Sequence, residues 1–286
     1  MSGRFCGRVA LITGAASGIG RALAEELGRR RAHVVAAARD EAGARRVATG
    51  IARTGGSARA RALDVTCAEM FAEVVRETAE ELGAIDYFFN NAGIAVGGEA
   101  RDLPLEDWRR TLDVNVHGVV HGVHAVYPLM IEQGSGHIVN TASIAGLFGF
   151  PLAVPYTASK HAVVGLSLGL RAEGADLGVR VSAVCPGAID TAIWDSEWRG
   201  FDREQLEKRV PRRLSPDRCA RAILRGVVKN RPIIVIGRDA KWIAAVNRAA
   251  PWLGRRLAGR LVRQARAARA VANAPAPRAV APTAAR

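Results

Sequence analysis

Cysteine is scarce in this chain, and acid is missing from its end. The four cysteines, Cys6, Cys67, Cys185 and Cys219, are scattered and form no C-x-x-C pair. Neither a disulfide framework nor a zinc knuckle is therefore expected. Free thiols in a reducing cytoplasm are the expected state. No uncharged apolar run reaches the roughly 18 residues that a membrane-spanning helix needs. The opening MSGRFCGRVALITGAASGIG has only a short apolar stretch before its glycines, which does not read as a secretory signal. No repeat recurs at a solenoid period. Between Ala240 and Arg286 there is no aspartate or glutamate, against 10 basic residues.

What is present is the composition of an ordinary globular protein: 286 residues, 49% hydrophobic and 24% charged. That much apolar material excludes disorder throughout, and the length suffices for one large domain with one core. The net charge of +14 conceals a division. Residues 1–198 hold 19 basic and 22 acidic side chains, a net of −3; residues 199–286 hold 22 and 5, a net of +17. Such asymmetry requires a local explanation at the C-terminal end.

Short apolar runs alternate with segments of helical periodicity. Val9–Thr13, Val34–Ala38, Ala58–Leu63, Ile85–Phe89, His137–Thr141, Val179–Cys185 and Ile233–Ile236 read as buried strands. Gly20–Arg30, Glu41–Arg53, Ala68–Leu82, Leu105–Met130, Tyr156–Leu177 and Pro216–Val228 read as helices. This alternation predicts an α/β fold, a doubly wound parallel sheet of Rossmann type, with ligands beyond the carboxyl ends of the strands. The expected organisation is a catalytic domain over 1–238, interrupted by a lid at about 189–213. A basic amphipathic helical extension over 239–269 follows, then a disordered Ala/Pro-rich tail over 270–286.

The first strand runs into Thr13-Gly14-Ala15-Ala16-Ser17-Gly18-Ile19-Gly20, and a helix follows directly. Glycines there permit a tight turn and close backbone approach to a pyrophosphate, while the helix N-terminus offers N–H groups and a positive dipole end. Further along stand Asn90-Asn91-Ala92-Gly93, Asn115, Ser143, Tyr156-x-x-x-Lys160 and Pro186-Gly187 followed by Thr191. In this order they resemble the short-chain dehydrogenase/reductase family over roughly residues 5–237. The resemblance implies an NAD(P)-dependent oxidoreductase interconverting a ketone or aldehyde with an alcohol, and a homodimer or homotetramer. It assigns Asn115, Ser143, Tyr156 and Lys160 to catalysis, with Asn115 fixing a helix irregularity. It assigns the coenzyme to Gly14, Ser17, Gly18, Ile19, Gly20, Asp64, Val65, Asn91, Ala92, Gly93, Pro186, Gly187, Ile189 and Thr191, together with Tyr156 and Lys160.

The pair Tyr156 and Lys160, spaced i, i+4, projects from one helix face. An ammonium near a phenol favours the phenolate, so a lowered tyrosine pKa is expected. At the end of the second strand the family's acid position falls on neutral Ala38, and Arg39 follows, which suits a 2′-phosphate. Asp40 is the rival, at the spacing of an NAD-type acid. The expectation is NADP(H), with NAD(H) as the alternative. His117, His121 and His124 recur at helical spacing without acidic or cysteine partners, so no metal is expected. Ile144, Phe148, Trp194 and Trp198, with Ala188 and Ile189, form an apolar set suited to a bulky hydrophobic substrate, or else merely pack under the lid.

On a helical wheel over Leu253–Arg269, Leu253, Leu257, Leu261, Ala265 and Ala268 fall on one side. Arg255, Arg256, Arg260, Arg263, Arg266 and Arg269 cover the other. With Trp242 and Trp252 nearby, the segment 241–269 suits either an anionic membrane surface or packing on the protein itself. A peripheral membrane location is thus the alternative to a free cytoplasmic one. Nucleic acid is not expected, because no stacking aromatics alternate with the arginines. A non-catalytic nucleotide-binding scaffold anchored by this end is the competing functional class.

Overall fold

The computed structural model describes residues 2–201 and 213–272. Seven parallel strands form one sheet: β1 Val9–Thr13, β2 His33–Ala38, β3 Ser57–Ala62, β4 Tyr87–Asn90, β6 Gly136–Thr141, β7 Val179–Pro186 and β9 Ile233–Ile236. Their spatial order is β3-β2-β1-β4-β6-β7-β9. The two-residue strands β5 Gly97–Gly98 and β8 Trp198–Arg199 pair separately, in parallel, above the carboxyl edge of this sheet. The sheet order reverses between β1 and β4, so crossovers leave to opposite faces and open a crevice at their carboxyl ends.

Side-chain alternation divides the core between the two faces. Ala10, Ile12, Val34 and Ala36 pack with Phe89, Leu23 and Leu27 of α1 Gly18–Arg29, and with Ile223 and Leu224 of α7 Pro216–Val228. Leu11, Val35 and Phe88 face the other way, onto Phe71 of α3 Ala68–Leu82 and Val126 and Met130 of α5 Gly118–Glu132. Helix α6 Val154–Glu173 completes that layer, with Val163 and Val164 against Ala183 and Cys185. Burying large residues such as these contributes about 1.5–3 kcal/mol each.

Three differences from the sequence pattern have identifiable causes. Strand β3 is not buried: it is the sheet edge, and its Arg59 and Arg61 reach Glu77 and Glu81 of α3. Charged side chains on an edge strand discourage pairing with another chain. The long helix expected over Leu105–Met130 is α4 Leu105–Leu112, a π turn at Asp113–His117, and then α5. The C-terminal extension is two helices, α8 Arg238–Ala249 and α9 Pro251–Ala272, because Pro251 cannot continue α8. The lid interior at 202–212, the tail beyond Ala272 and the side chain of Ala268 lie outside the described residues. The two ends of the lid meet where Asp190 N–H donates to the Leu214 carbonyl and Leu214 N–H to that of Ala188, both at 2.9 Å.

Beneath the sheet surface, β6 and β7 share a titratable group. The Ser182 hydroxyl donates to the Arg231 carbonyl (2.7 Å) and so accepts from His137 Nε2–H (2.8 Å). This places a proton on Nε2, and burial keeps the ring otherwise neutral by pushing its pKa down to about 3. An unfolded histidine binds its proton near pH 6.5, so stability is lost as pH falls from 6.5 towards 3. In His137→Leu this contribution is absent. Denaturant titrations across that window are expected to show wild-type stability falling about 1.4 kcal/mol per pH unit more steeply than the variant's.

Candidate active site

The turn after β1 positions the N-terminus of α1. Gly14 and Gly18 adopt φ of +65° and +52°, which other residues rarely take. A Cβ on Gly14 would lie 3.0 Å from the Ala92 Cα. Ser17 sits at the N-cap with extended backbone and no side-chain cap, so the first N–H groups of α1, from Gly18 through Gly20, face the crevice without a protein partner at the cap. Thr191, just past Pro186-Gly187, stands over this turn: its Cγ2 lies 3.1 Å from where a Gly18 Cβ would be. An uncapped helix start, glycine walls and a threonine lid form a cradle that fits a diphosphate.

Across the crevice, the end of β4 is fastened to β1. Thr13 Oγ1 accepts from Asn91 N–H (2.9 Å) and Ala92 N–H (3.0 Å), and Asn91 Nδ2 donates back to the Thr13 carbonyl (3.1 Å). Asn91 thus serves this joint rather than projecting a free amide. Gly93 leaves space beside the reacting groups, since a Cβ there would lie 3.1 Å from Asn115 Oδ1 and 3.3 Å from Lys160 Nζ.

The π turn carries Asn115, fully buried. Its Oδ1 accepts from Ile94 N–H (2.9 Å), while Nδ2 donates to the Ile94 carbonyl (2.9 Å) and to Ser159 Oγ (3.0 Å). Helix α6 brings Tyr156 and Lys160 together, with the ammonium 5.5 Å from the phenol ring centre. Lys160 Nζ donates to the Thr141 carbonyl (2.9 Å), and burial pushes its pKa down to about 8. Ser143 caps a short turn by accepting from Ala145 N–H (3.1 Å), and its side chain lies near enough to the Tyr156 phenol to draw that pKa down. Cys185 lies buried beside Lys160, its thiol pushed up to about 12 and hence un-ionised. The residue two positions before α6, Leu152, is held at φ +63°, a strained conformation at the start of the helix that bears Tyr156.

One expectation is reversed here. The Tyr156 pKa is raised, not lowered, because burial outweighs the lowering by nearby Ser143, and Lys160 supplies no compensating charge at the oxygen. The ammonium is itself desolvated and turned to Thr141. In the chain alone, tyrosine is a neutral phenol poised to give a proton.

The remaining expected residues are placed as follows. Asp64 Oδ1 accepts from Thr66 N–H (3.0 Å) and Oγ1 (2.7 Å), and these bonds, with Arg39 nearby, hold its carboxyl low. The Val65 side chain is core, and its carbonyl bonds the His121 ring. His117 pairs with Asp113, and no group of three candidate metal ligands gathers among the described residues. Gly187 lies against Ala240 of α8, and Ile189 packs in the core. Trp194 donates to the Ile189 carbonyl (2.6 Å) with Arg213 over its ring, and Trp198 lies on Gly97. Trp194 is thus engaged by the segment 189–213 itself, and Trp198 by β5. Ile144 and Phe148 are half-buried beside Ser143, and Phe148 meets Phe150 edge-on at 5.9 Å. Sequence reasoning missed Thr141, Ser159 and Thr13, whose parts are visible only once distant strands meet.

The pattern of the short chain dehydrogenase family matches residues 8–200. The chain belongs to that family. Among its relatives, putative oxidoreductase SadH of Mycobacterium tuberculosis is 36% identical over 251 residues, covering 85% of this chain and 91% of that one. Cyclohexanol dehydrogenase of an Acinetobacter strain is 40% identical over 196 residues, covering 68% and 77%. A short-chain dehydrogenase/reductase from Burkholderia phymatum, solved in complex with NAD, superposes with a TM-score of 0.81 at 30% identity, covering 87% of this chain and 95% of that one. As a short-chain dehydrogenase, the protein is an NAD(P)-dependent oxidoreductase of Rossmann fold.

Asn115 joins three segments of this dehydrogenase, so its loss strands buried partners on two of them. Asn115→Ala is expected to lower unfolding stability by about 1–3 kcal/mol, measured by denaturant titration. Turnover should fall further than the residual folded fraction accounts for.

Proposed function

We propose that this dehydrogenase interconverts a bulky hydrophobic ketone or aldehyde with its alcohol, using NADP(H) in preference to NAD(H). The observation that carries the coenzyme preference is the state of the two rivals after β2. Asp40 is the N-cap of helix α2 Glu41–Arg53, accepting from Gly43 N–H (2.9 Å), and it also pairs with Arg46 (3.5 Å). A carboxylate so engaged is poorly placed to take ribose hydroxyls. Arg39 is exposed, and its charge lies near enough to Asp64 to lower that carboxyl. A guanidinium at that place suits a 2′-phosphate.

The residues that would hold the coenzyme are the Gly14–Gly20 turn and Thr191 at the phosphates, and Lys160 beside Gly93 at the nicotinamide ribose. When bound, the coenzyme supplies a hydride donor or acceptor. Tyr156 holds a proton at its phenolic oxygen and gives it to the substrate oxygen in reduction, or takes it back in oxidation. Ser143 donates a hydrogen bond to that oxygen and keeps it within reach of Tyr156. Asn115 holds the π turn and α6 in register, which fixes Tyr156 and Lys160 relative to Gly93. A neutral Tyr156 suits the reductive direction at neutral pH. Apolar Ile144 and Phe148 at the site favour a hydrophobic substrate over a sugar. The set Ser143, Tyr156 and Lys160 around one crevice argues against a non-catalytic scaffold. By family habit the active form would be a homo-oligomer.

Two experiments test this. Tyr156→Phe is expected to reduce kcat about 10²–10⁴-fold while coenzyme affinity, read by fluorescence titration, stays near wild type. Wild-type turnover in the variant would overturn the mechanism. Arg39→Ala is expected to weaken kcat/KM for NADPH by about 10–100-fold and leave that for NADH nearly unchanged. Equal wild-type kcat/KM with both coenzymes would overturn the preference.

A further inference from the structure

The C-terminal helices α8 and α9 have an inner edge that is tied down and an outer surface that is not. On the inner edge Arg266 makes a two-pronged bond to buried Glu99, with Nε 3.1 Å and Nη2 2.6 Å from Oε2. Arg269 pairs with Asp102 and lies over Phe201. Ala265 is buried, and Asn247 Nδ2 donates to the Leu147 carbonyl (3.0 Å), beside Phe148. The wheel is thereby corrected: Arg269, one turn beyond Ala265, shares the packed face, while Leu257 is turned outward.

The outer surface is a mixture of large apolar side chains and cations. Trp242, Trp252 and Leu257 are 73%, 53% and 50% exposed. Lys241, Arg248, Arg255, Arg256, Arg260 and Arg263 are exposed, and no carboxylate pairs with any of them among the described residues. Arg256 sits over the Trp252 ring at 5.5 Å, so cation and indole share one spot. Trp252, Arg256, Arg260 and Arg263 recur along one stripe of α9 at helical spacing. From Ala240 to Ala272 the only uncharged polar side chains are Asn247 and Gln264, and Asn247 faces inward.

We propose that this outer surface docks on an anionic lipid bilayer. Indoles and leucine enter the headgroup region, and the arginines meet lipid phosphates. Charge complementarity selects the occupant: with Asp239 at the start of α8 its one carboxylate, a surface of cations without ion-pair partners among the described residues and almost no neutral polar groups fits a field of anions over hydrocarbon. The ties at Glu99, Asp102 and Leu147 mean that docking would set the apolar segment 144–150 at the edge of the contact. A substrate dissolved in the bilayer would then have a short route to Ser143. The proposal stands apart from the coenzyme and substrate readings, because its readout needs no turnover.

Co-sedimentation of the full chain with phosphatidylcholine vesicles, with and without phosphatidylglycerol, tests it. The protein is expected to pellet with the anionic vesicles only, and less as salt is added. Arg255→Gln and Arg256→Gln should each weaken that binding about fivefold. The double variant Trp242→Ala, Trp252→Ala should weaken it further, and all variants should reduce a water-soluble ketone at the wild-type rate. Absent binding, or variants that bind as well as wild type, would overturn the proposal. So would tryptophan variants whose oligomer dissociates in sedimentation velocity while vesicle binding is absent, which would make the surface an interface between copies.

Discussion

One buried amide, Asn115, spans the middle of this molecule. Its two-way bond to Ile94 closes the loop after β4 like a rung of sheet, and its second N–H reaches Ser159 on α6. An ordinary α-helical turn would aim this residue elsewhere. The π turn at Asp113–His117 inserts an extra residue, and the extra residue brings the amide inward. Gly93 follows from the same constraint, because a side chain there would press on both Asn115 and Lys160. The crevice between β1 and β4 would exist without Asn115, but the helix bearing Tyr156 and Lys160 would not be held at a fixed distance from it.

Around this joint the fold distributes charge in two ways. Inside, burial is the largest influence on the protonation of Tyr156, Lys160 and Cys185, with few opposing charges nearby. Outside, arginine is used as mortar: Arg199 reaches buried Asp107 from the lid (3.0 Å), and Arg266 reaches buried Glu99 from α9. The Glu99 carboxyl is held below its ordinary value chiefly by that Arg266 bond. Strand β8 and the C-terminal helices are therefore fastened to the same stretch of chain, from Glu99 to Asp107.

The strand and helix pattern was legible because parallel sheets bury both faces, and the apolar runs stand out from the helical segments between them. The glycine turn and the Tyr156-Lys160 pair were legible as residue types at fixed spacing. The alanines of strand β3 look like core, whereas its alternate arginines mark an edge. The π turn has no compositional signature in Asp113–His117, and Thr141 and Ser159 act through partners far away in sequence. The wheel over Leu253–Arg269 assumed one facing direction for the whole helix. Buried Glu99 and half-buried Asp102, invisible as partners in the linear chain, drew Arg266 and Arg269 to the inner side.

The reversed tyrosine shift has a consequence for how the site works. A phenol kept neutral by burial is an acid without further help, but it cannot act as a base until positive charge arrives near its oxygen. Lys160, its pKa pushed down to about 8, still carries its proton for the most part at pH 7, but its ammonium is bonded to the Thr141 carbonyl. Water or a bound ribose at the ammonium would hold its charge more firmly and favour the phenolate beside it. The i, i+4 spacing thus does not by itself produce an ionised tyrosine. It places two desolvated groups side by side, and under the proposed mechanism a coenzyme ribose in the Gly93 space would act on both at once.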